Sequence, residues 1–320
     1  MENLIESPFE PIDEMMFNSD KCFLCGVKLM IDTSKEHVLP KWLLHKFNLW
    51  DRKLILLNRT SIAYRYLTIP CCSTCNNTYL SKLEGEIENA ITAGPNSVVH
   101  LDKIRLYQWI GKIFFSLHYR EISLALDRSK PGLGSIITPE FIKDYRALHG
   151  FLQSIIRPIE FREFFPGSIF VFELEEPLGI DDFDYSDNFV GMTFCIRMNN
   201  IGIIACLKDD EQILEMTSEL YNSARKVRLH PIQFDELCAI VFYKAFSMER
   251  NGKYVSLTGK DNKTTVVKLP GFSLVPIFDE WDNKIFTRFL EEFWKKWGIT
   301  YDEIFIPPNS IRTYLAEHMK

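Results

Sequence analysis

Lys21-Cys22-Phe23-Leu24-Cys25-Gly26, then Glu36-His37-Val38-Leu39-Pro40-Lys41-Trp42, then Cys71-Cys72-Ser73-Thr74-Cys75-Asn76-Asn77: these three stretches decide how the first part of the chain folds. Two Cys-x-x-Cys pairs, with 46 residues between Cys25 and Cys72, offer the four soft thiolates that tetrahedral Zn²⁺ favours in closed structural sites. The spacing selects Cys22, Cys25, Cys72 and Cys75 as ligands and leaves Cys71 expected to point elsewhere. Pro40 forbids an earlier helix start, which places His37 on extended backbone just ahead of a bend. Asn76 is a good N-cap, and Leu80, Leu83, Ile87 and Ile91 follow at helical spacing, so a helix is expected to leave the second cysteine pair directly. Asn77, Ser81 and Glu84 share its polar face.

Outside this segment the composition is that of an ordinary globular chain. The 320 residues are 46% apolar and 25% charged, with Phe 25, Tyr 12 and Trp 6. That sets aside disordered, fibrous and low-complexity classes and predicts two domains. No stretch approaches the roughly 18 consecutive apolar residues of a membrane span, and the acidic start is unlike a secretory signal, so a cytoplasmic protein without membrane contact is expected. Disulfides are not expected in that reducing setting, and Cys195, Cys206 and Cys238, each alone in an apolar run, read as core. The formal net charge is −6, yet residues 21–85 carry ten Lys and Arg against four Asp and Glu. A basic segment on an acidic body points to a polyanionic partner.

Farther along, helical patterns cover 41–47, a stretch with Ile110, Ile113, Phe114 and Leu117 on one face, and 139–156 after a Thr138-Pro139 start. Extended patterns cover Leu29 to Ile31, 54–68, 168–174, 191–198 and 201–207, the last two joined at Asn199-Asn200. Helices are expected again near 210–226, 232–247 and 283–297, with a short one after Pro307-Pro308. The acidic run holding Asp181, Asp182, Asp184 and Asp187 reads as a solvated loop, and Phe293-Trp294-Lys295-Lys296-Trp297 as helix packing. His45, His100, His118, His149, His230 and His318 show no ligand spacing. No glycine-rich phosphate loop or nucleophile elbow is present.

The combination of Cys22-x-x-Cys25, Glu36-His37-Val38-Leu39-Pro40 and Cys72-x-x-Cys75-Asn76-Asn77 resembles the HNH endonuclease family. Lys41-Trp42 and Leu83-Glu84 match one branch of it. The resemblance covers about residues 20–90. It implies a small zinc-stapled ββα-metal nuclease module over 21–98, after an N-terminal arm over 1–20; the patterns beyond about residue 100 add an accessory domain over 99–320, larger and mostly helical with a small antiparallel sheet, so that the whole is expected to be an α+β chain. The resemblance also implies hydrolysis of nucleic acid, DNA favoured over RNA, with His37 as general base and one Mg²⁺ or Mn²⁺ held by Glu36 with Asn76 or Asn77, Glu84 being a further candidate. The accessory domain is then expected to recognise substrate, form a homo-oligomer or meet a regulatory partner, as in bacterial defence proteins. The alternative is a zinc-dependent module that binds nucleic acid or protein without cutting.

Overall fold

A computed structural model describes residues 9–11, 20–29, 35–122, 124–125, 129–130, 132, 139–176, 179–249, 252–261, 263–269 and 276–315. In chain order its elements are β1 (Lys35–His37), α1 (Lys41–Lys46), β2 (Lys53–Ile55), β3 (Ser61–Ala63), β4 (Thr68–Pro70), α2 (Ser81–Ala93), α3 (Pro95–Val99), α4 (Lys103–Ile122), α5 (Pro139–Leu152), β5 (Ile159–Arg162), β6 (Ser168–Glu173), β7 (Phe183–Asn188), β8 (Thr193–Met198), β9 (Ile201–Cys206), α6 (Gln212–Met216), α7 (Ser218–Ala224), α8 (Pro231–Phe246), β10 (Lys253–Thr258), β11 (Thr264–Leu269), α9 (Asn283–Trp294), α10 (Tyr301–Ile304), β12 (Phe305–Ile306) and β13 (Ser310–Ile311). The result is a mixed α/β chain with small sheets, most of them antiparallel. It divides into two compact units: Met1–Asn89 with Ile104–Arg162 and Tyr254–Val267, and Ala90–Lys103 with Glu163–Lys253 and Lys268–Lys320. This division does not follow the expected boundary between residues 98 and 99. The arm over 1–20, the end of the expected strand at Ile31 and the Thr138 cap lie largely or wholly outside the described residues.

In the first unit β1 and β4 pair antiparallel, Glu36 opposite Ile69 and His37 opposite Thr68, and a helix comes next. Between the two strands the chain inserts α1, expected from the sequence, and a β2–β3 hairpin with Leu54 opposite Ile62. The expected extended run 54–68 is therefore broken by a turn and by a 3₁₀ segment, Tyr64–Tyr66. The helix opens on a wide π turn, Cys75–Leu80, and Ser73 and Thr74 are already helical. Asn76 thus lies inside the first turn instead of capping it. Leu80, Leu83, Ile87 and Ile91 are buried as their period demands. α4 goes further than its expected apolar face: every residue from 106 to 119 is buried, which makes it the central helix of the unit. α5 lies beside it, and β5 joins β10 and β11 in a sheet of order β10-β11-β5, with β11 parallel to β5.

The second unit holds an antiparallel sheet of order β6-β9-β8-β7. β8 and β9 turn at Asn199-Asn200, where Asn199 takes φ 50°, as Asn readily does. The acidic run expected to be a loop contains β7; alternation puts Phe183, Tyr185 and Asp187 on one side and Asp184 on the other, and Tyr185 stacks on Phe194 at 5.8 Å, so an acid on each face hid a strand. α8 packs on this sheet at Gly202, where a Cβ would stand 2.5 Å from the Phe234 ring. α9 packs on α8 through buried Phe286, Leu290 and Trp294. The short C-terminal helix, α10, precedes Pro307 and Pro308, and the two prolines lie in the turn between β12 and β13, which pair antiparallel.

Candidate functional site

The cysteine segment gathers four sulfurs. The Sγ atoms of Cys22, Cys25, Cys72 and Cys75 all lie within 4.8 Å of one another. Local backbone does this: the amide of Gly26 donates to the Cys22 carbonyl at 2.9 Å, with Gly26 at φ 74° and the Phe9 ring against its missing Cβ. The Cys75 amide donates to the Cys72 sulfur at 3.3 Å. The Cys25 and Cys72 sulfurs are 3.7 Å apart, close to the ~3.8 Å edge of a tetrahedron with metal–sulfur bonds of about 2.3 Å. These four cysteines can hold a metal ion. Hydrogen bonds from Cys25, Cys71 and Cys75 hold the Cys22 thiol well below its usual pKa, while the Cys22 contact pushes Cys25 up to about 12 and Cys75 higher still. A divalent cation relieves that competition by stabilising all four thiolates. Cys71 is not turned far away, since its sulfur lies 4.0 Å from that of Cys22; it is buried and outside the set of four.

α5 and the turn after it support the first cysteine pair. His149 Nε2 bonds the Phe23 carbonyl at 2.8 Å and the Gln153 amide donates to the Leu24 carbonyl at 2.6 Å. Burial outweighs that bond and lowers the His149 pKa to about 4, so the ring is neutral and acts as a donor.

Strand alternation then separates the two residues of the Glu36-His37 box. Glu36 is buried and pairs with the ammonium of Lys112 on α4. Lys112, its side chain 1% exposed, also pairs with Glu84 of α2 at 3.0 Å and donates to the carbonyls of His37 at 2.8 Å and Val38 at 3.4 Å. One ammonium thus ties β1, the bend after it and α2 together. Burial works against its charge, but Glu36 and Glu84 more than compensate and raise its pKa; burial pushes Glu84 up against the pull of Lys112. Both carboxylates expected to serve a divalent ion are committed to a lysine, and as placed they do not fit one. Among the described residues the four cysteines form the metal-competent group.

The His37 imidazole lies on the other side, half-buried, 5.8 Å from the Trp50 ring, which also stacks on His45 at 4.7 Å. Burial first, then the charges of Lys41 and Lys112, lower its pKa, while a hydrogen bond to the Arg65 carbonyl and the charge of Glu84 pull upward. The ring is neutral at pH 7, with one nitrogen donating to Arg65 and the other carrying a lone pair. Asn76 directs its side-chain amide to the Lys35 carbonyl at 3.4 Å; Asn77 is exposed. Sequence reasoning missed Lys112, whose signal is a single lysine in the apolar run Ile110-Gly111-Lys112-Ile113-Phe114-Phe115, and it missed Arg65, which acts through a backbone carbonyl and leaves no signal.

Compared with known proteins, the chain matches no family model, no curated protein and no solved structure. No helix among the described residues is long and apolar enough to cross a membrane.

Proposed function

We propose that the cysteine segment is the nuclease module of an HNH-type endonuclease, stapled by a structural zinc on Cys22, Cys25, Cys72 and Cys75, that hydrolyses phosphodiester bonds of nucleic acid, DNA before RNA. The observation that carries this reading is the His37 imidazole: neutral, anchored through one nitrogen to the Arg65 carbonyl and set among basic side chains. Its free nitrogen takes a proton from water as the oxygen attacks phosphorus; the bond from phosphorus to the sugar oxygen breaks, that oxygen leaves with a proton from solvent, and the imidazolium returns its own proton to solvent. Zinc supplies folding free energy to a segment whose strands are too short to hold themselves. The Mg²⁺ or Mn²⁺ that the resemblance implies has no fitting carboxylates while Lys112 holds Glu36 and Glu84, and no step is assigned to it. The second unit then serves recognition, self-association or sensing, as in bacterial defence proteins.

That same lysine favours a second reading, a zinc-dependent binding module without cleavage. Plasmid cleavage in Mg²⁺ or Mn²⁺ by the full chain and by His37→Ala separates the two. The nuclease reading expects His37→Ala to lose about 10²- to 10⁴-fold in rate with zinc content unchanged. Equal cutting by the variant overturns it, and so does a zinc-loaded wild-type chain that binds DNA and leaves it intact.

A further inference from the structure

Residues 41–70, the insertion between β1 and β4, carry six Lys and Arg against one acid, Asp51, and that acid is paired with Arg65. The β2–β3 hairpin within the insertion has register Lys53 opposite Ala63 and Ile55 opposite Ser61, so Lys53 and Ile55 share one face. Both are exposed, Ile55 at 71%, as are Arg52, Leu57 and Arg59. The hairpin is held in place: the Leu57 amide donates to Glu121 of α4 at 3.1 Å, and the Tyr64 and Arg65 amides bond the carbonyls of Arg52 and Trp50. Next to Arg65 stands Tyr66, 60% exposed, with the Arg65 guanidinium 4.8 Å from its ring centroid. Arg65 is also the residue whose carbonyl receives the His37 imidazole. An aromatic ring, exposed aliphatic side chains and cations therefore lead from the hairpin up to the proposed general base.

A duplex offers phosphates but buries its base faces, so exposed Ile55, Leu57 and Tyr66 gain nothing from it. An unpaired strand offers both: phosphates for the cations, and base faces that stack on an aromatic ring whatever the sequence. We infer that the β2–β3 hairpin and Tyr66 form a gripping surface for single-stranded or locally unpaired nucleic acid, delivering its backbone to His37. The inference deepens the nuclease reading and rests on it for the direction of delivery.

Fluorescence anisotropy of the full chain in a His37→Ala background, which stops cutting, tests it with a labelled oligothymidine and a duplex of equal length. Replacing Arg52, Lys53 and Arg59 together by Ala should flatten the slope of log K against log salt for the single strand by about 2, at roughly 0.7 per lost phosphate contact. Tyr66→Ala should weaken single-strand binding about tenfold and leave the duplex as it was. Unchanged slopes in the triple variant, or equal effects of Tyr66→Ala on strand and duplex, overturn the inference. So does a zinc-loaded chain that binds neither, the result expected if the surface meets an acidic protein. Failure of the nuclease reading looks different: a chain with His37 intact leaves all DNA whole while the slope and Tyr66 effects appear as stated.

Discussion

Removing the Lys112 ammonium as Lys112→Met strips two carboxylates and two carbonyls of their shared donor. Deleting one partner of a buried ion pair typically costs 3–5 kcal/mol, because the charge left behind stays out of water. With Glu36 buried and Glu84 nearly so, a loss of about 4 kcal/mol from the first unit is expected, a large part of the ~5–15 kcal/mol that keeps a domain folded. Urea unfolding at pH 7 measures it. Converting both acids as well, in Lys112→Met/Glu36→Gln/Glu84→Gln, should restore most of the loss, since no uncompensated charge remains. The pH dependence has a definite sign. Without the ammonium, the burial that already raises the Glu84 carboxyl acts unopposed by its counter-charge, the folded state binds an extra proton, and the single variant should gain stability as pH falls from 7 toward 5. Millimolar Mn²⁺ should leave the wild-type chain unmoved through these acids but stabilise Lys112→Met, by about 2.7 kcal/mol at a hundred times its Kd. A Lys112→Met chain as stable as wild type at pH 7 refutes the reasoning, as does Mn²⁺ stabilising the wild type in a manner abolished by Glu36→Gln.

The remaining expectations concern the cysteine segment. Metal analysis should give one zinc per chain; Cys72→Ser should lose it and unfold the first unit, whereas Cys71→Ser should keep it at a cost of roughly 1–3 kcal/mol for the buried hydroxyl, and a zinc-loaded Cys72→Ser chain shows that the set of four is wrong. His149, with its pKa lowered to about 4 against 6.5 when exposed, takes its proton in the unfolded state first. About 3 kcal/mol of stability should therefore be present above pH 6.5 and fade as pH drops toward 4. The difference between wild type and His149→Gln across that window isolates the effect, and a flat difference contradicts it.

What the sequence made legible was local or periodic. Choosing Cys72 over Cys71 needed only the two-residue spacer, which turns both thiols of a pair to one side, and the fold brings together the four that this rule selects. The α2 face came from the spacing of Leu80, Leu83, Ile87 and Ile91, and the β8–β9 turn from two asparagines. The start of the helix was misplaced because Ser73 and Thr74 take helical backbone, a choice made by the cysteine cluster beside them and not by capping preference. β7 stayed hidden because Asp184 and Asp187 fall on opposite faces, which breaks the apolar alternation and makes the strand look like a polar loop. The parallel pairing of β5 with β11 joins segments about a hundred residues apart, which no window reports. Lys112 was hidden for a related reason: a lysine in an apolar helix is usually expected to reach for solvent, and only the arrival of Glu36 and Glu84 from distant parts of the chain makes burial the better solution.

This last contact changes what the module is. The family-like wording ends near residue 90, but the charge that holds Glu36 and Glu84 comes from α4, and the donors that hold the carbonyls of Phe23 and Leu24 come from His149 and Gln153. A zinc-stapled hairpin and helix alone would leave two buried carboxylates without a counter-charge, a state costing more than such a small core can bear. The physical unit is therefore the cysteine segment together with α4 and α5, and β1 is positioned by a lysine that no local motif contains. Any force that moves α4 acts on the His37 backbone directly, through the bond from Lys112 to the His37 carbonyl. The presentation of the imidazole is thus governed from outside the segment that carries it.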